Sequence, residues 1–106
     1  MTETGGKIFL SGFELEPAEK SIASNVIRNY NRKISERIDY DYIQLRLRKS
    51  QRGKAFLHQV KGSLSKKSML LKASSTDYNL FAALSDVLEK LLAEAIHKSR
   101  TSRQKK

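Results

Sequence analysis

The sequence predicts an α+β fold, a two-layer β-α-β-β-β-α sandwich in which a four-stranded sheet carries two helices packed on one face. Three observations carry this prediction. Residues 42–49 (YIQLRLRK) alternate, with Ile43, Leu45 and Leu47 pointing one way and Tyr42, Gln44, Arg46 and Arg48 the other, as in a strand with one buried face. Two stretches with the helical period flank the middle of the chain, and each has a single apolar side. Turn-forming clusters at residues 50–53 and 65–68 divide that middle into an antiparallel meander. Helices with one apolar side each are most simply accommodated side by side on one face of the sheet.

Taken in order, residues 1–6 are polar and glycine-rich and read as a disordered leader. Residues 7–15 (KIFLSGFEL) suggest a first strand, with Gly12 as a bulge or a close approach. Glu16-Pro17-Ala18-Glu19 is a helix start, because proline suits the first turn and acids there complement the helix dipole. A helix over 17–38 gathers Ile22, Ala23, Val26, Ile27, Tyr30, Ile34 and Ile38 on one arc and sets Ser21, Ser24, Arg28, Arg32 and Ser35 opposite. After a turn at 39–41, strands are expected over 42–49, 55–64 and 69–73. Ser75, Thr76 and Asp77 are candidate N-caps for the last helix. That helix has Leu80, Phe81, Leu84, Val87, Leu88, Leu91, Leu92, Ala95 and Ile96 on its apolar face. The apolar period stops near Arg100, which leaves a single domain over 7–100 and a basic tail over 101–106.

Composition narrows the partners. The chain has 106 residues, and 21 Lys and Arg against 11 Asp and Glu give a net charge of +10. Solubility alone is served by a smaller excess of about 2 to 8 charges, so a polyanion is the expected partner, with nucleic acid ahead of an anionic membrane surface. Residues 42–76 hold no acid, yet they include Arg46, Arg48, Lys49, Arg52, Lys54, Lys61, Lys66, Lys67 and Lys72. The absence of cysteine excludes disulfide frameworks and thiolate zinc sites. No apolar run approaches the length of about 20 residues that spans a bilayer, and no signal-peptide pattern opens the chain, so a cytoplasmic location is expected.

Catalysis finds no support in the residues. His58 and His97 fall on different elements without a cysteine or carboxylate motif, and Asp39 and Asp41 suit a turn. No metal-ligand spacing, phosphate loop or nucleophile elbow is present, so neither enzyme, cofactor nor small-molecule substrate is expected. The candidate RNA-binding residues are the basic pairs Arg28/Arg32, Lys33/Arg37, Arg46/Arg48 and Lys66/Lys67, together with the basic C-terminal cluster. Tyr30, Phe56, Tyr78 and Phe81 suit the core or its edges, whereas Tyr40 and Tyr42 are placed to be exposed. The expected recognition is therefore of RNA shape and phosphate. A free-standing double-stranded-RNA module and a protein-interaction subunit are the alternatives. Ser65-Lys66-Lys67 is similar to the basic element of double-stranded-RNA-binding domains, although there the lysines open a helix and here they occupy a hairpin.

Several local patterns together resemble the ribosome hibernation-promoting factor and ribosome-associated inhibitor family. They are Gly12 before an acidic helix start, the meander, the junction Thr76-Asp77-Tyr78-Asn79-Leu80-Phe81-Ala82-Ala83-Leu84, and Leu88-Glu89-Lys90-Leu91. The resemblance spans about residues 7–100. It implies a non-catalytic factor, monomeric when free, that binds the small ribosomal subunit through ribosomal RNA in stressed or stationary cells and blocks the mRNA and tRNA channel. It adds Lys90, Lys98 and Arg100 as basic positions of the matching helix. Ser85 and Ala93-Glu94 depart from the family pattern, which commonly has an acid and an Arg-Gln pair there. The chain stops without the further C-terminal domain of long family members, so a short form is expected.

Overall fold

The computed structural model describes residues 8–104, with side chains over 8–97. The expected leader at residues 1–6 lies outside the described residues. The elements are β1 (Ile8–Ser11), α1 (Pro17–Ser35), β2 (Tyr42–Arg52), β3 (Ala55–Lys66), β4 (Met69–Asp77) and α2 (Leu80–Gln104). They form the expected sandwich, with a four-stranded sheet ordered β1-β2-β3-β4. β1 runs parallel to β2 because α1 carries the chain back across the sheet; the other two pairings are antiparallel hairpins.

α1 starts where the acids and proline predict, and the Glu19 carboxylate accepts a hydrogen bond from the Glu16 amide at 3.2 Å. It ends at Ser35 instead of Ile38. The next residues close as turns, with the Arg37 and Ile38 amides both donating to the Ile34 carbonyl. The buried positions of α1 are Ala23, Ile27, Asn31 and Ile34. Ile22, expected on the buried arc, is 47% exposed, because the contact stripe passes through 23, 27, 31 and 34 and leaves position 22 on its rim. Asn31 takes a core position, where its side-chain oxygen accepts a hydrogen bond from the Tyr40 hydroxyl.

Two glycines permit close approaches, one within the sheet and one between the layers. Gly12 ends β1 with φ +79, and a Cβ there would lie 2.3 Å from the Leu47 carbonyl oxygen, so the expected close approach is real and is made by backbone. Gly62, on the inner face of β3, lies where a Cβ would come within 2.7 Å of Val87, which lets α2 settle onto the sheet. The core joins Ile8, Ile43, Leu45, Leu47, Val60, Leu64 and Leu71 of the sheet to Ile27 and Ile34 of α1. Leu84, Val87, Leu88 and Leu91 of α2 complete it.

The strands outrun the expected ranges. Ser50, Gln51 and Arg52, read as part of a turn, continue β2 and pair with Leu57, Phe56 and Ala55. The turn narrows to Gly53 and Lys54, with Gly53 at φ +63. β4 continues to Asp77, which pairs with His58, so Ser75, Thr76 and Asp77 are strand residues and not helix caps. Asn79 caps α2 in their place: its side-chain oxygen accepts from the Phe81 and Ala82 amides at 2.8 and 3.1 Å. The α2 backbone runs on to Gln104, past the point where the apolar spacing stops.

Candidate nucleic-acid interface

Because both helices cover one face of the sheet, alternation sends every second strand residue to the other, open face. Strand register then arranges these residues in rows across the sheet. Phe9, Gln44, Ser63 and Lys72 form one row, and Ser11, Arg46, Lys61 and Ser74 form the next. Arg48, Gln59 and Thr76 make a third, while Tyr42, Ser65 and Leu70 flank the first on its other side. Arg46, Arg48, Lys61 and Lys72 are all exposed, and no Asp or Glu stands on this face among the described residues. Gln44, Arg46, Lys61, Ser63, Lys72 and Ser74 line a shallow concavity of about 660 Å³, with Lys90 at its β4 margin. A face with one sign of charge and polar groups between the charges suits a phosphate backbone.

The other expected positions are distributed differently. Arg28, Arg32, Lys33 and Arg37 are exposed on and just beyond α1, in the helix layer, away from Arg46 and Arg48. The Lys33 ammonium lies over the Tyr30 ring, 4.9 Å from its centroid. The Tyr30 hydroxyl donates to the Glu89 carboxylate at 2.9 Å; desolvation first, and this acceptor second, raise the phenol above its ordinary pKa. Lys90 is engaged at the sheet edge, donating to the Ser74 carbonyl at 2.9 Å and pairing with Asp86 at 3.1 Å. The Asp86 carboxyl is held below the usual carboxylate range by hydrogen bonds from Ser75 and Lys90. The pair is about half exposed, so it adds little to stability.

Lys66 and Lys67 form the β3–β4 tip, where Lys67 takes a left-handed conformation and its amide donates to the Asp41 carboxylate at 2.7 Å. Asp41 is thus a turn residue, and it offsets part of the charge at that tip. The side chains of Lys98 and Arg100 lie outside the described residues.

His58 is structural, its Nδ1–H donating to the Tyr78 carbonyl at 2.9 Å, and His97 is exposed. Phe56 and Tyr78, expected at the core or its edges, are 50% and 58% exposed. Phe56 stands on the part of the β2–β3 ribbon that runs beyond β1 and β4, where Lys49 covers its ring at 6.0 Å. Tyr78 sits in the link between β4 and α2. Among the described residues no group of three or more His, Cys, Asp or Glu is placed to hold a metal ion, and no helix is long and apolar enough to cross a membrane. Lys61 and Lys72 complete the open face and were not singled out as sites in the sequence; their alternation with buried Val60, Leu64 and Leu71 was the available signal.

A β-α-β-β-β-α sandwich with one bare, basic sheet face defines a class of small α+β proteins, and solved structures share this fold. The N-terminal domain of Protein Y from Thermus thermophilus superposes with a TM-score of 0.54 at 15% identity, covering 87% of this chain and 96% of that one. A ribosomal subunit interface protein from Coxiella burnetii superposes with a TM-score of 0.60 at 12% identity, covering 90% of this chain and 98% of that one. Both likenesses are of fold. No protein-family model matches the sequence, and no curated protein matches it.

Proposed function

We propose that this chain is a non-catalytic, ribosome-associated factor of the hibernation type. It binds the small ribosomal subunit through ribosomal RNA and silences translation by occupying the mRNA and tRNA channel in stressed or stationary cells. The observation that carries this reading is the open face bearing Arg46, Arg48, Lys61 and Lys72, with no acid on it among the described residues, on a fold shared with a ribosomal subunit interface protein. Phosphates neutralise those cations and release counterions, so binding is salt-sensitive. Arg28, Arg32, Lys33 and Arg37 on the helix layer, Lys66, Lys67 and Lys90 at the margins, and Lys98 and Arg100 further along the chain are secondary contacts to surrounding RNA. The binding unit is the domain over 7–100, acting as a monomer in the cytoplasm.

Co-sedimentation with purified small subunits tests the reading. Co-migration at low salt that declines steadily as salt rises is expected, together with competition against mRNA and initiator tRNA for the same subunits. Absence of co-migration at every salt concentration would overturn it. Equal affinity for any RNA duplex would point instead to a module without ribosome preference.

A further inference from the structure

The open face is not uniformly basic, and its aromatic end assigns it a more particular ligand. Phe9 of β1 and Tyr42 of β2 both point away from the core, while their neighbours Ile8 and Ile43 are buried at 2% and 0% exposure. Their rings meet edge to face with centroids 6.1 Å apart and an interplanar angle of 69°. Phe9 is 43% exposed and Tyr42 36%, so the pair leaves aromatic surface in solvent at the edge of the positive face. Beside Phe9 in strand register come Gln44, then Ser63, then Lys72, supplying an amide, a hydroxyl and an ammonium. One step along the strands, about 6.7 Å away, Arg46 and Lys61 face each other.

We propose that this face binds single-stranded RNA, with a base stacked on the Phe9–Tyr42 pair, base edges met by Gln44 and Ser63, and the backbone held by Arg46, Lys61 and Lys72. The inference rests on the RNA-binding reading above and narrows it from RNA phosphate in general to an unpaired segment. A duplex keeps its bases stacked on one another and offers the aromatic pair no π-face, whereas a single strand splays its bases onto such platforms. The absence of acids on the face among the described residues suits a polyanion over a protein partner, whose own surface carries both signs.

The test compares three probes of equal length by fluorescence anisotropy: a single-stranded oligouridine, its abasic counterpart with the same backbone, and a duplex. With the unaltered chain, tighter binding of the base-bearing single strand than of both others is expected, by about tenfold. Phe9→Ala with Tyr42→Ala is expected to remove that margin and leave the salt slope unchanged. Phe9→Tyr keeps the ring and the margin. Arg46→Gln with Lys61→Gln is expected to lower the slope by about 1.4 while keeping the preference for bases. Equal binding of the abasic strand or the duplex by the unaltered chain overturns the inference, whatever the variants do. Small-subunit co-sedimentation on the same preparation separates the two readings: retained co-migration with equal oligonucleotide binding sinks the single-strand inference alone. Loss of co-migration sinks the ribosome reading.

Discussion

Asn79 shows how one side chain decides where an element begins. Its oxygen accepts from two α2 amides, and its own amide donates to the Asp77 carboxylate at 2.8 Å, so strand and helix are joined by consecutive side-chain caps. Asn79→Ala is expected to cost about 1 kcal/mol in urea unfolding, with an unchanged denaturant slope, whereas Asn79→Asp stays near the original stability. Equal stability of the alanine variant would show that the cap is dispensable. Ser75, Thr76 and Asp77 were the three adjacent cap candidates, with Asn79 two residues further on, and local chemistry does not choose among them. Strand pairing does, since the Asp77–His58 partnership places 75–77 in β4 and pushes the cap to Asn79. Asn31 escaped sequence reading for a related reason: a polar residue is legible as buried only when its partner, here Tyr40, is known.

At the scale of elements, alternation in residues 42–49 and the helical periods of the flanking stretches made the layer order and most of the core legible. Register was not legible in the same way, because it is a relation between strands. For that reason Lys61 and Lys72 were visible only as members of a basic run, and Phe9 only as a strand residue. At the end of β1, Gly12 approaches the Leu47 carbonyl too closely to leave room for a Cβ. Gly12→Ala meets both a left-handed backbone, worth about 1–2 kcal/mol, and a clash with main chain that no rotamer relieves. A loss of about 2 kcal/mol or more is expected by chemical denaturation. Gly53→Ala, at φ +63 with nothing within 4 Å of the added carbon, meets the backbone term alone and is expected to lose less. Equal losses would show that the Leu47 approach is not limiting.

For the whole molecule, the charge is divided between two sides, and the proposed contact with RNA is tested at each side separately. The net charge of +10 does not form one patch, because Arg46, Arg48, Lys61 and Lys72 stand on the sheet and Arg28, Arg32, Lys33 and Arg37 on the helix layer. Arg46→Glu with Arg48→Glu is expected to weaken subunit binding and to reduce the slope of log affinity against log salt by about 1–2. An unchanged slope would remove these two residues from the interface. The same reversal at Arg28 and Arg32 measures the helix layer separately, which suits a protein enclosed by RNA on more than one side.

The parallel pairing of β1 with β2 also bears on the order of assembly. β2, β3 and β4 are neighbours in the chain and close through short turns, whereas β1 must wait for α1 and β2 before it has a strand to join. The portion of the domain synthesised first therefore joins the sheet only once β2, which follows it in the chain, is available. Phe9 belongs to that strand and Tyr42 to its partner, so the aromatic pair does not exist until β1 has joined β2. By mass action, any ligand that grips both rings also favours the docked state of β1.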